Sequence, residues 1–230
     1  MQAAARRGSL FLPNSQFLEG LPPAAVEEIL NASTQQHFSA LSVIVHQEAA
    51  GNRFFLLYKG RARYFFNTAN GKKVLLMWII PGDIFGGVAL THKLSRYVVS
   101  TEAVRDSTTL SWDRDNIRRL ALRFPRILEN SIAIASQYLS WYAETHAALT
   151  SNTAAERLVS ILLGLSRLIG QKVPGGLEID VTNDELANAA NITHYTASRM
   201  ISEWQKRGLV HKDRGRIVLC FPQQLHLHVL

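Results

Sequence analysis

A chain of 230 residues, 47% hydrophobic and 19% charged, is long enough for two modest domains and apolar enough to bury a core, which excludes general disorder. Its single cysteine, Cys220, excludes an internal disulfide, a CxxC redox pair and a cysteine-held iron–sulfur cluster. The net charge of +7 permits nucleic-acid binding without establishing it, because the first 152 residues carry 16 Lys and Arg against 11 Asp and Glu, and the remainder 9 against 7.

The longest apolar run, Val74 to Ile80, is seven residues. A membrane-spanning helix needs roughly 20, so no membrane partner is expected. The opening "MQAAARRGSLFLP" has basic residues but no extended apolar stretch after them, which argues against a secretory signal. A reduced cytoplasm is the expected compartment.

In chain order, residues 14–31 read as a short helical entry, with Phe17, Leu21, Val26, Ile29 and Leu30 apolar and Pro22-Pro23 suited to a helix start. From Phe38 to Trp112 the texture changes. Short apolar or aromatic runs at Val43–Val45, Phe54–Tyr58, Ala62–Phe66, Val74–Ile80, Tyr97–Ser100 and Thr108–Trp112 alternate with glycine-bearing turns. That spacing predicts a β-sandwich or small barrel. "TANGKK" places Asn70-Gly71 between two such runs and predicts a hairpin. Asp83 reads as a turn residue, and Asp113 and Asp115 as the acidic start of a helix.

After Arg114 the period becomes helical. Phe124-Pro125 breaks it once, and a long helix runs on to about Thr150. Its apolar seam is Leu128, Ile132, Ala135, Leu139, Tyr142, His146 and Leu149, in alternating steps of four and three. Such a heptad seam predicts a dimer; the alternative is a helix packed on its own domain. Ser151-Asn152 reads as a hinge. Thr153 and Glu156 form a capping box for a helix over 154–169 that buries Leu158, Ile161, Leu162 and Leu165. "GQKVPGG" reads as a loop, and Leu177–Val181 as a strand.

The most specific signal is "TNDELANAANITHYTASRMISEWQK", residues 182–206. Thr182 and Glu185 form a second capping box, and Leu186, Ala187 and Ala190 give the first short helix an apolar side. Asn191 stands where a left-handed backbone is wanted. Thr193 caps a second helix, with Ala197, Met200, Ile201 and Trp204 on one side and His194, Tyr195, Ser198, Arg199, Ser202 and Lys206 on the other. This is a helix-turn-helix, whose second helix offers a polar face to a major groove of double-stranded DNA. Arg199 can donate two hydrogen bonds to guanine O6 and N7. Thr182, Asn183, Thr193, Thr196 and Lys206 complete the expected contact set, mainly to phosphates. "LVHKDRGRIVL" then reads as strand, turn, strand: a wing whose Lys212, Arg214 and Arg216 can meet phosphates.

Sandwich, long helix, hinge and winged helix-turn-helix, in that order, resemble the Crp/Fnr family of bacterial transcription regulators. The resemblance runs from about Phe17 to Phe221 and rests on Gly60, Gly71, Gly82 and Gly86, on "PGDIFG", and on the helix-turn-helix segment. It implies an α+β chain. Residues 1–124 would form an effector-sensing, cyclic-nucleotide-binding-like β-roll (jelly roll), 125–152 the dimerisation helix and hinge, and 153–230 the DNA-binding domain. It also implies a homodimer on a two-fold-symmetric site that recruits or blocks RNA polymerase. Arg199 matches the family's base-reading arginine. His194 stands where the cyclic AMP receptor protein has arginine, and Tyr195 replaces the glutamate that usually reads a cytosine. A phenol cannot accept as a carboxylate does, so a half-site other than the common TGTGA is expected.

In cyclic-nucleotide members of the family a glutamate holds the ribose, and an arginine and a serine hold the phosphate. Aligned without gaps through "PGDIFGGVAL", those positions are Gly87, Tyr97 and Val98. Arg96 is one residue early and, on a strand, faces the other way. Burying a phosphate charge without partners costs several kcal/mol, so cyclic AMP is not the expected effector. The remaining lining is Tyr64, Leu76, Phe85, Gly86, Gly87, Val88, Tyr97, Val98 and Tyr142. Either an apolar ligand such as haem enters it, with His92 or His146 as candidate axial ligand, or side chains fill it and no effector is needed. Catalytic motifs are absent: the sequence has no nucleophile elbow, no HExxH and no Walker loop. No metal site is expected, since the only closely spaced histidines, His226 and His228, stand at strand rather than helix spacing near the C-terminus. A ligand-binding regulatory protein without DNA function is the remaining class.

Overall fold

The structure, a computed structural model, describes residues 15–71, 73–213 and 215–225. Arg214, the His226 and His228 pair and the basic N-terminal stretch lie outside the described residues. Two compact units are found. One holds the residues up to Arg63 together with Trp78–Ser136, the other Tyr64–Met77 and the residues from Gln137 on.

The chain enters through a 3-10 turn at Gln16–Leu18 and helix α1 (Pro23–Asn31), which starts on proline at its first position and buries Ala25, Ile29 and Leu30. Eight strands follow: β1 (Thr34–Phe38), β2 (Val43–Val45), β3 (Arg53–Lys59), β4 (Ala62–Asn67), β5 (Lys73–Ile79), β6 (Ile84–Phe85), β7 (Ser100–Ala103) and β8 (Ser107–Asp113). They form two four-stranded sheets, β1-β8-β3-β6 and β2-β7-β4-β5, the expected sandwich. The Asn-Gly turn between β4 and β5 puts Gly71 at φ +77, and its N–H donates to Thr68 O at 2.9 Å. Phe17, Phe54 and Trp112 form a buried aromatic cluster with ring centroids 5.1, 6.0 and 6.2 Å apart. A buried indole N–H needs an acceptor, and Trp112 Nε1 donates to Ile29 O at 2.8 Å, fixing α1 against β8.

Three stretches differ from the sequence reading. Strand β1, "TQQHF", is too polar to signal a strand, yet it pairs antiparallel with β8 from Thr34 opposite Ser111 to Phe38 opposite Ser107. The strand expected at Tyr97–Ser100 begins only at Ser100, because Tyr97 pairs instead with the loop before β3. Its N–H donates to Ala49 O at 3.0 Å, and its carbonyl accepts from Glu48 N–H at 2.8 Å. "GQKVPGG" is not all loop, since β9 (Gln171–Val173) pairs with β10 (Gly176–Ile179).

Asp113 accepts from Asn116 N–H at 2.8 Å and caps α2 (Arg114–Arg123). Asp83 takes the Ile80 N–H at 2.9 Å as a turn residue; burial raises its carboxyl above the usual range, and that hydrogen bond partly opposes the shift. Phe124, kept out of the helical region before Pro125 at φ −125° and ψ 78°, separates α2 from the 27-residue α3 (Pro125–Ser151). After Asn152 come α4 (Ala154–Ile169), α5 (Asn183–Ala189), α6 (His194–Lys206), β11 (Val210–Asp213), β12 (Arg216–Leu219) and α7 (Pro222–Leu225). A third sheet, β11-β12-β10-β9, backs these helices. No helix among the described residues is long and apolar enough to cross a membrane.

Candidate nucleic-acid interface and effector cassette

The helix-turn-helix is built from local chemistry. Thr182 and Glu185 close a capping box at α5, with Thr182 N–H donating to Glu185 Oε2 at 2.8 Å. Leu186, Ala187 and Ala190 are buried beneath it. The turn passes through Asn191 at φ +50, a left-handed conformation that asparagine tolerates better than other side chains bearing a Cβ. Thr193 then caps α6, accepting from Thr196 N–H at 3.1 Å. Ala197, Ile201 and Trp204 are buried on one face of α6. Thr193, His194, Tyr195, Arg199, Ser202 and Lys206 are exposed on the other, and Thr196, Ser198 and Met200 are half-buried between them. Tyr195 is 76% exposed, a large aromatic ring offered to solvent from the first turn.

Two of the expected contacts have other neighbours. Asn183 is only 8% exposed, because its place in the first turn of α5 points it inward, so it does not join the exposed face. Arg216 Nη1 lies 3.6 Å from Glu178 Oε1, which partly neutralises the wing on that strand. Lys212 is exposed, and its backbone N–H donates to Gln205 Oε1 at 3.2 Å, tying the wing to the end of α6. Thr182 is also exposed, at the start of α5.

Two residues enter that sequence reasoning passed over. Arg157, in the first turn of α4, donates to Ala190 O at 2.8 Å and Asn152 O at 2.7 Å, and so fastens Asn152 to the helix-turn-helix. No spacing rule signals it. Asp184 Oδ1 sits 2.6 Å from His194 Nδ1, joining α5 to the start of α6; an acidic residue ten positions before a histidine is invisible to periodicity.

Along α3, Ile127, Ser131 and Ile134 are buried within the first unit, and Asn130 Nδ2 donates to Phe17 O at 3.0 Å and Glu19 O at 2.9 Å. The heptad positions lie elsewhere on the helix. Leu128, Ile132, Leu139, Tyr142 and Leu149 are 40, 59, 69, 52 and 38% exposed, and Ala135 and His146 are exposed with them.

The cassette at Phe85–Ser100 keeps the glycine turn. Gly86 sits at φ +77, where a Cβ would lie 2.6 Å from Arg53 O, 3.2 Å from the Phe55 ring and 3.4 Å from the Tyr97 ring. Phe55 and Phe85 stack with centroids 4.8 Å apart. Tyr97 is 8% exposed, and its phenol donates to Arg53 O at 2.8 Å and accepts from Arg53 N–H at 3.0 Å. Burial raises this phenol above its ordinary range, with the bond to Arg53 and the Arg53 charge opposing. Replacing Tyr97 by phenylalanine removes both hydrogen bonds and is expected to cost about 1–2 kcal/mol of stability, read as a lower denaturation midpoint; an unchanged midpoint would mean the phenol is not holding the cassette.

Val98, expected in the pocket lining, is 67% exposed. A Cβ at Gly87 would meet nothing within 4 Å, so the backbone leaves room for a side chain there. Val88 and Leu76 are half-buried. Arg96 is spent on Glu48 O at 2.6 Å. Arg114, unsignalled in the sequence, donates to Thr91 O and His92 O at 2.7 and 2.9 Å and, more weakly, to Val88 O and Ala89 O at 3.4 Å, pinning the loop after the glycines. In the second unit, Tyr64 meets Tyr138 edge-on at 6.5 Å, and Tyr142 stacks on His146 at 6.4 Å.

The comparisons with known proteins agree with this architecture. A cyclic nucleotide-binding domain family model matches residues 35–124, and a Crp-like helix-turn-helix domain model matches residues 156–227. The CRP-like cAMP-activated global transcriptional regulator of Mycobacterium tuberculosis is 20% identical over 93% of this chain and 96% of its own length. The cyclic AMP receptor protein of Thermus thermophilus is 25% identical over 90% of this chain and 93% of its own. Among solved structures, FixK2 from Bradyrhizobium japonicum superposes with a TM-score of 0.74 at 21% identity, covering 85% of this chain and 96% of that one. The c-di-GMP responsive regulator CLP of Xanthomonas campestris gives 0.77 at 17%, covering 87% and 100%. With both domain families matched in this order over most of its length, the chain belongs to the Crp/Fnr family of transcription regulators.

Proposed function

We propose that this regulator is a homodimer that reads a two-fold-symmetric DNA site and does so without cyclic AMP. The observation that carries the DNA reading is the division of α6 into a buried face at Ala197, Ile201 and Trp204 and an exposed face holding His194, Tyr195, Arg199 and Lys206. Arg199 and Lys206 on that exposed face can meet base edges and phosphates. Residues 1–124, 125–152 and 153–230 serve as sensor-like domain, dimer helix with hinge, and DNA-binding domain, a division supported by the two family-model spans. The exposed heptad positions supply the surface for a second copy, since a continuous apolar stripe left in water is unfavourable. Bound to its site, the dimer recruits or blocks RNA polymerase and works beside the chromosome, in the cytoplasm.

The groups that would hold a cyclic nucleotide do not fit one here. The glutamate, arginine and serine positions are Gly87, Tyr97 and Val98, and Arg96 is committed to a backbone carbonyl. Tyr97 is folded inward onto Arg53, which favours the closed cassette over one that admits an apolar ligand or haem. Cyclic AMP should therefore leave the melting temperature unchanged. A ligand present at a hundred times its Kd stabilises by about 2.7 kcal/mol, so a clear rise on adding it would refute the closed cassette. For the DNA reading, selection from a randomised duplex library should return a motif with two inverted half-sites about one helical turn apart. Failure to enrich any motif would leave only the ligand-binding reading.

A further inference from the structure

His194 opens the exposed face of α6, and the residue that orients it comes from a different helix. Asp184 Oδ1 is 2.6 Å from His194 Nδ1, a short contact between α5 and α6. The side chains are 75% and 59% exposed, respectively, so the pair contributes little to folding. Its consequence lies in which ring atom remains. An ionised carboxylate only accepts hydrogen bonds, so the hydrogen of this contact sits on Nδ1. In the neutral ring that leaves Nε2 as a bare acceptor, and no other polar atom of the ring is free.

We propose that Asp184 is a specificity-determining positioning residue: it locks the His194 tautomer so that Nε2 meets a base bearing an amino group in the major groove. Cytosine N4 and adenine N6 are the major-groove donors, whereas guanine presents only acceptors there. The lock also holds the ring at one angle, which a lone histidine at a helix start would not keep. A carboxylate so near the reading face repels phosphates. Its place in the first turn of α5 favours that helix's dipole, so a test must separate that local role from discrimination.

This inference rests on the DNA-binding reading, and the experiment separates the two. Full-length wild type, H194A, D184A and D184N are each carried through selection on a randomised duplex library at about pH 8. Wild type failing to enrich a motif would defeat the DNA reading itself. Given a motif, H194A should lose base preference at one pair per half-site, and replacing that pair's amino-bearing base by an analogue lacking the amino group should weaken wild type but not H194A. D184A should lose roughly three- to tenfold discrimination at that same pair, with other positions unchanged and affinity for random duplex equal or higher. D184N, which keeps an acceptor but not the charge, should retain most of the preference. An H194A motif identical to wild type, equal weakening of wild type and H194A by the analogue lacking the amino group, a D184A loss spread over all positions, or equal losses in D184A and D184N would each overturn the proposal.

Discussion

Replacing Leu139 with aspartate should turn the proposed dimer into monomers and reduce DNA binding by at least about a hundredfold. Leu139 is 69% exposed in the single chain, at the middle of the α3 seam. Parallel, in-register helices bring the same heptad position of both copies together, so two carboxylates would face each other in an apolar seam. Removing one charge from water costs several kcal/mol, and here neither has a partner. A monomer holds only one half-site, and losing the linked second contact removes a factor of roughly 10²–10⁴ in avidity. Because the side chain is exposed before dimerisation, the monomer should melt as the wild-type fold does. Ser140→Asp, one residue on and about 100° around the helix, should sediment as a dimer. If Leu139→Asp sediments as an unchanged dimer, the seam is not the interface.

The second large effect belongs to Arg199. It is exposed on α6, among the described side chains of the polar face. If its guanidinium forks onto guanine O6 and N7, Arg199→Ala should cost about 1–3 kcal/mol on the selected site and relax preference at one base pair. Affinity for random duplex should change far less. The opposite pattern, uniform weakening with a shallower salt dependence, would make Arg199 a phosphate contact that positions the helix. Fold damage is not expected, since the buried face of α6 is untouched.

The helix-turn-helix was legible because each of its parts is local. Capping boxes work over three residues, the left-handed turn at Asn191 over one, and the buried face of α6 repeats at the helical period. Sandwich strands with alternating apolar side chains and an Asn-Gly hairpin were legible for the same reason. Strand β1 was not, because edge pairing with β8 stabilises a polar segment that has no apolar signal of its own. The strand boundary at Ser100 was missed because residues 48 and 49, far back in the chain, take the hydrogen bonds of Tyr97. Asn183 sits on a helix otherwise read correctly, yet whether it faces out or in depends on what packs against the first turn of α5.

The sequence alone determined the order of the two family domains, the heptad pattern along α3 and the two-helix motif, all of which rest on residue identity at short, regular spacing. The tertiary structure alone decided that Tyr97 turns onto Arg53, that Arg96 and Arg114 are spent on loop carbonyls, and that Asp184 reaches His194. Those contacts join residues with no periodic relation. Their direction is set by how the chain returns on itself, which no window along the sequence contains.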